Sequence, residues 1–213
     1  MSDAPIHADP DGPEVRPRRT GQGRIDLVLA ISAIFISGVS LFVAIEHGKT
    51  ERDLVAASSW PFLQEISSNV WDNGRALAIG FGNSGVGPAK VKFLEVFYAG
   101  APVRSSLDLL RRCCGLAADA VGASAQIRHG LLKSVADETV IRAGENNPVM
   151  LLQRARAAPV VASRFDDALR RITFRACYCS ILDECWLSDL RSTRTHPVKV
   201  CPAPDHPFDP NGE

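Results

Sequence analysis

From Leu27 to Ile45 the chain runs nineteen residues without a charge, LVLAISAIFISGVSLFVAI, and twelve of these are Leu, Ile, Val or Phe. At about 1.5 Å rise per residue the stretch makes a helix roughly 28 Å long, close to the roughly 30 Å hydrocarbon core of a bilayer. Its large apolar side chains favour insertion by on the order of 4–7 kcal/mol, and the Ser and Gly residues give back only part of that. The pattern predicts a transmembrane helix over residues 25–46 in contact with the lipid bilayer. No other segment is long enough to surround it as a buried core helix. A cleaved signal peptide would have an apolar region of about 7–15 residues followed closely by small residues at the cut. Here Glu46 to Arg52 follow, and the nearest suitable triplet, Val55-Ala56-Ala57, lies well beyond, so the segment reads as an uncleaved signal anchor. Within it Ala30, Ala33, Ser37, Ser40 and Ala44 recur at spacings of 3 and 4, one heptad face on which small side chains allow two helices to approach. A homodimer through this helix is the expectation.

Beyond the span the rhythm changes. Residues 47–58 are polar and helix-compatible, a stalk. Trp60-Pro61-Phe62-Leu63-Gln64-Glu65-Ile66 reads as a strand with Pro61 near its start, where a missing donor does little harm. Asp72-Asn73-Gly74 signals a primed hairpin turn. Arg75 to Gly82 alternates about Leu77, Ile79 and Phe81, and Ala89 to Tyr98 follows as a second long strand. Two stretches have helical spacing: Ser106 to Cys114 behind a Ser cap, and Ser163 to Arg171 with Ser163 as the cap and Asp166 three residues on. Thr139-Val140-Ile141 and Val149 to Leu152 look like strands, and Ile172 to Ser180 with Cys185 to Leu187 like a hairpin. Short strands separated by turns predict a mainly β fold: an antiparallel, immunoglobulin-like β-sandwich over residues 59–202 with two short helical insertions. Residues 203–213 read as a disordered C-terminal tail.

Composition refines this picture. Residues 1–24 hold Pro, Gly and Arg but almost nothing large and apolar, so they read as a disordered cytoplasmic tail. Arg16, Arg18, Arg19 and Arg24 precede the span, against Lys49 and Arg52 after it, a bias that places the N-terminus in the cytoplasm and the larger part outside. The expected location is a bacterial inner membrane with a periplasmic C-terminal domain. Lys+Arg and Asp+Glu number 24 each, so no overall field draws the chain to nucleic acid, and no nucleic-acid partner is expected.

All six cysteines, Cys113, Cys114, Cys177, Cys179, Cys185 and Cys201, follow the span, as an oxidised exported domain would have them. Six cysteines allow 15 pairings. Cys177 and Cys179 are two apart on a strand, face the same way and do not suit each other. Cys179 and Cys185 flank a short turn as candidate cross-strand partners, leaving Cys201 to anchor the final segment to Cys177. Neighbouring Cys113 and Cys114 would form a strained vicinal bond, so separate partners or free thiols are expected. A zinc site from Cys177, Cys179, Cys185 and Cys201, with His196, has enough ligands, but its C-x-C-x5-C spacing is not the common knuckle and an oxidising compartment disfavours thiolates. A thioredoxin-like C-x-x-C is lacking.

Other patterns resemble chemistry without its context. Gly80-Phe81-Gly82-Asn83-Ser84-Gly85 fits G-x-G-x-x-G, but a strand follows where a phosphate-binding helix should start, so the glycines are read as serving a tight turn. The five His residues are scattered, and the neighbouring pairs Asp166-Asp167 and Asp183-Glu184 suit caps and turns better than acid–base work. No catalytic residue and no cofactor is indicated.

Three short patterns, Trp60-Pro61-Phe62-Leu63, Asn83-Ser84-Gly85-Val86-Gly87-Pro88-Ala89, and Cys177-Tyr178-Cys179-Ser180 with Cys185-Trp186, resemble those of a group of uncharacterised bacterial single-pass envelope proteins. The resemblance implies the membrane topology and a β-rich outer domain, and carries over no activity and no site. The functional expectation is a membrane-anchored, non-enzymatic protein binding an envelope protein or component. The alternatives are a hydrolase-like enzyme with a site assembled from distant loops, or a cysteine-based metal or redox module.

Overall fold

A computed structural model describes residues 22–212. The expectation for the N-terminal tail therefore lies, for residues 1–21, outside the described residues, while Gln22 to Arg24 are already helical. The chain divides into two compact units between Arg52 and Asp53. Helix α1, Gln22–Ser58, makes up the described part of the first unit and runs on into the first residues of the second; its apolar stretch is long enough to cross a membrane and has none of its residues buried. Inside it the Ser37 hydroxyl donates to the Ala33 carbonyl one turn back, at 2.7 Å, which satisfies the polar group without a partner helix.

The second unit contains two antiparallel sheets. One has the order β1-β2-β7-β5, with β1 Leu63–Val70, β2 Ala76–Asn83, β5 Leu131–Lys133 and β7 Asn146–Gln153. The other has the order β10-β9-β8-β3-β4, with β3 Ala89–Tyr98, β4 Ala101–Val103, β8 Ile172–Cys179, β9 Cys185–Ser188 and β10 His196–Val198; β6, Thr139–Ile141, pairs with the start of β3. Strand and helix make up 31% and 37% of the structure, so the expectation of a mainly β fold holds only in part; α1 alone takes 37 residues. Residues of both sheets join one core: Leu77, Ile79 and Phe81 from one, Val91, Leu94, Val96 and Tyr178 from the other.

The hairpin between β1 and β2 turns where Asp72-Asn73-Gly74 signals it, with Asp72 and Asn73 both in left-handed backbone (φ 50° and 56°). Gly80 and Gly82 do not form a turn, contrary to the sequence reading. They lie within β2, where a Cβ at Gly80 would collide with the backbone of Asn147 and Pro148 on β7. The turn beyond wraps the start of the domain: Val86 and Gly87 both donate to the Trp60 carbonyl, and a Cβ at Gly87 would strike Ser59.

Among the described residues of the second unit, three helices of eight residues or more occur where two were expected. Helix α2, Ser106–Cys114, is capped by Ser105, which accepts from the Asp108 amide at 3.2 Å, and ends on Gly115 in left-handed backbone. Helix α3, Ala120–Ile127, is capped by Asp119, and its run of small residues gives no helical stripe to read. Helix α4, Pro159–Ala168, starts four residues before the expected cap, because Pro159 supplies the pre-set first turn; Ser163 sits inside it.

The last segment is not a loose tail. Phe208 is 1% exposed within the core, its amide donates to the Leu94 carbonyl at 2.9 Å, and the Asp209 amide donates to Arg104 at 2.9 Å. Glu95, completely buried on β3, accepts from the His206 amide at 2.7 Å and from the Arg175 guanidinium at 2.9 Å. A few directed bonds and one aromatic side chain thus overcome a Pro- and Asp-rich composition that by itself suggests disorder.

Candidate functional site

Four of the six cysteines meet on one face of the second sheet. Alternation along β8 turns Tyr178 into the core and sets Cys177 and Cys179 on the opposite face. Cys179 lies directly across the hairpin from Cys185 and is bonded to it, with Cα atoms 4.0 Å apart. Cys177, opposite Phe93 on β3, is bonded to Cys201 in the segment after β10, Cα atoms 5.8 Å apart. The two disulfides touch: Cys179 Sγ is 3.9 Å from Cys201 Sγ, and the sulfurs of Cys179, Cys185 and Cys201 all lie within 4.8 Å of one another.

These sulfurs floor a groove of about 600 Å³ whose walls include Lys92, Phe93, Glu138, Lys199, Val200 and Pro204. Its walls combine apolar surface with lysines. Lys92 stands 3.4 Å from Glu138, and Lys90 is bonded to Asp183 in the β8–β9 turn. That hydrogen bond, with the lysine charge behind it, holds the Asp183 carboxyl below the usual carboxylate range. Such a groove can take an extended or partly apolar ligand and present it with amino groups. His196, proposed beside the cysteines from sequence, lies in β10 and lines a different depression with Arg175, Ser188 and Arg194.

The other two cysteines are apart from this cluster. Cys113 and Cys114 close the end of α2 and are bonded to each other across a single peptide unit, Cα atoms 3.7 Å apart. This corrects the expectation of separate partners: Cys114 is fully buried, and the paired side chains share one helix terminus. The stripe Ala30, Ala33, Ser37, Ser40 and Ala44 is exposed along α1.

A second hollow, about 690 Å³, lies beside β1, the end strand of its sheet, and is lined by Glu65, Ser67, Asn69, Asp167, Arg170 and Arg191. Its neighbouring carboxylates are held in ion pairs, Glu65 with Arg191 at 2.6 Å and Asp166 with Arg154 at 2.7 Å, which suits them to positioning rather than proton transfer. Sequence reasoning missed Glu95 as a polar anchor; its one signal is a lone carboxylate within the otherwise apolar run Phe93 to Tyr98 of β3. Compared with known protein families, curated proteins and solved structures, the chain matches none of them.

Proposed function

We propose that the chain is a single-pass, non-enzymatic envelope protein: a signal anchor in the bacterial inner membrane, a cytoplasmic N-terminus, and a periplasmic, immunoglobulin-like two-sheet domain that binds an envelope protein or component. The carrying observation is the pairing of α1, apolar and with no buried residue in its membrane-length window, with a following domain in which every cysteine is bonded to another. Disulfide bonding throughout suits an oxidising exterior, and the four arginines before the span against two basic residues after it suit the same orientation. The groove over the disulfides supplies the binding surface in this reading. The small-residue face of α1 supplies self-association.

A reporter active only outside the cytoplasm, fused after Glu213, tests the topology. Activity is expected; activity of a cytosolic reporter at the same position overturns the proposal. Affinity capture from solubilised envelopes, with Lys92→Glu/Lys199→Glu as the comparison, tests the binding surface. Loss of the captured component on charge reversal is expected, and an unchanged capture profile refutes the groove as the site. Changing Ala33 and Ser37 to Leu should abolish association of the full chain in micelles, and unchanged association ends the dimer reading.

A further inference from the structure

We propose that the paired disulfides are the oxidised state of a tetrathiolate metal site, in which reduced Cys177, Cys179, Cys185 and Cys201 hold one Zn²⁺ against the groove. The inference does not rest on the binding role proposed above, and it concerns the reduced protein, whereas that reading concerns the oxidised one.

Geometry carries it. Tetrahedral zinc at about 2.3 Å from each sulfur sets its ligands about 3.8 Å apart. The contact between the two disulfides already has that spacing, 3.9 Å from Cys179 to Cys201, and Cys185 falls inside the same 4.8 Å group. Cys177 is bonded to Cys201, so its released sulfur begins beside the cluster. The bonded pairs have to relax apart, from a covalent bond to a ligand edge, and Cys177, outside the group of three, has to turn its side chain toward it. Three of the four sulfur-bearing residues are buried and Cys201 is half-buried, as suits a closed structural zinc rather than an adventitious surface ion. A zinc with four thiolates carries a net double negative charge; the groove lining holds Lys92 and Lys199 together with the carboxylates of Glu138 and Asp183, Lys92 being paired with Glu138. The unusual C-x-C-x5-C spacing follows from the fold: two ligands come from alternate positions on one strand, one from its hairpin partner and one from a remote segment.

The chemistry balances with a dithiol as the reductant. Each protein disulfide takes two electrons and two protons from one dithiol, which is itself oxidised to a disulfide; Zn²⁺ then displaces the four thiol protons into solvent.

The test uses the full chain in detergent micelles under argon, before and after reduction with a water-soluble phosphine that becomes its oxide. Co²⁺ is the spectroscopic probe, and Zn²⁺ its competitor. Reduced protein should bind about one Co²⁺ per chain with the visible bands of tetrahedral cobalt and sulfur-to-cobalt charge transfer, all lost on adding Zn²⁺, while oxidised protein binds none. Cys113→Ser/Cys114→Ser should keep this signature, and Cys179→Ser/Cys201→Ser should lose it. Zinc should also restore the β-sheet circular dichroism of reduced wild-type protein, a readout that needs no folded variant. Absence of tetrahedral cobalt in the reduced wild-type chain overturns the proposal, as does a signature that disappears with Cys113 and Cys114 instead.

Discussion

The three disulfides close loops of very different length, so their removal should be felt in a definite order. The separations are 24 residues for Cys177–Cys201, 6 for Cys179–Cys185 and 1 for Cys113–Cys114. In the chain-entropy account a cross-link withdraws about 2.1 + 1.5R ln n cal/mol/K from the unfolded ensemble, which at 25 °C is about 3.4, about 2.2 and about 0.6 kcal/mol for the three. The perturbation is a paired Cys→Ala change at each bond, which removes the link without burying a hydroxyl. Urea unfolding of the full chain in micelles, without reductant, would be followed by tryptophan fluorescence, since Trp71 and Trp186 report on the domain. With a urea dependence of about 1–3 kcal/mol per molar, the roughly 2.8 kcal/mol between the first and third variants separates their midpoints by about 1–3 M. Should Cys113→Ala/Cys114→Ala cost as much as Cys177→Ala/Cys201→Ala, loop closure is not what these bonds contribute, and the reasoning fails.

Phe208→Ala should destabilise the domain by about 3–5 kcal/mol, because a fully packed ring is replaced by a cavity between β3 and the final segment; a midpoint within error of wild type in the same unfolding assay would contradict the docking described. Tyr178 has its hydroxyl buried without a hydrogen-bond partner, and desolvation pushes its ionisation up to about 12, opposed only by the nearby Leu63 backbone. A raised folded-state value means stability that is complete below the ordinary value of 10.0 and drains as pH rises toward about 12. Tyr178→Phe should therefore leave neutral stability unchanged or raise it by up to about 1 kcal/mol and should flatten the alkaline limb of stability against pH; a large loss at neutral pH would refute this. The Asp189 carboxyl accepts from the Ser192 and Arg191 amides, which hold it below its ordinary 3.8. Its contribution is present above 3.8 and lost as pH falls further, so the advantage of wild type over Asp189→Asn should shrink on acidification, and a pH-independent difference would count against it.

Strong periodic signals were legible because few arrangements satisfy them. The uncharged run 27–45 allows little but a long apolar helix, and the alternation of Leu77, Ile79 and Phe81 or of the start of β3 maps directly onto strands. Alternation along β8 likewise places Cys177 and Cys179 on one face before any partner is known. Helix α3 has no legible stripe, since Ala, Gly and Ser leave none, and only the Asp119 cap marks it. At the start of α4, Ser163 resembles a cap but lies inside the helix, and Pro159, compatible with a first turn, marks the true start. How strands divide between two sheets depends on long-range pairing, such as β2 with β7 and β3 with β8, and no local pattern encodes it. The bonds Cys179–Cys185 and Cys177–Cys201 are the candidates that the cysteine spacing offers, whereas the contact between the two disulfides and the groove over them follow from the long-range pairing and have no local signal.

Among the described residues Phe208 is the last in chain order to enter the core, and it does so against β3, more than a hundred residues upstream by number. A polypeptide delivered amino end first would therefore wait with an unsealed interior until almost everything before it had been released. During that interval the backbone of Leu94 and the carboxylate of Glu95 lack their eventual partners, the amides of Phe208 and His206. Chains released early, before this plug arrives, would carry an open seam along their central strand and should be the ones that proteases and chaperones find first.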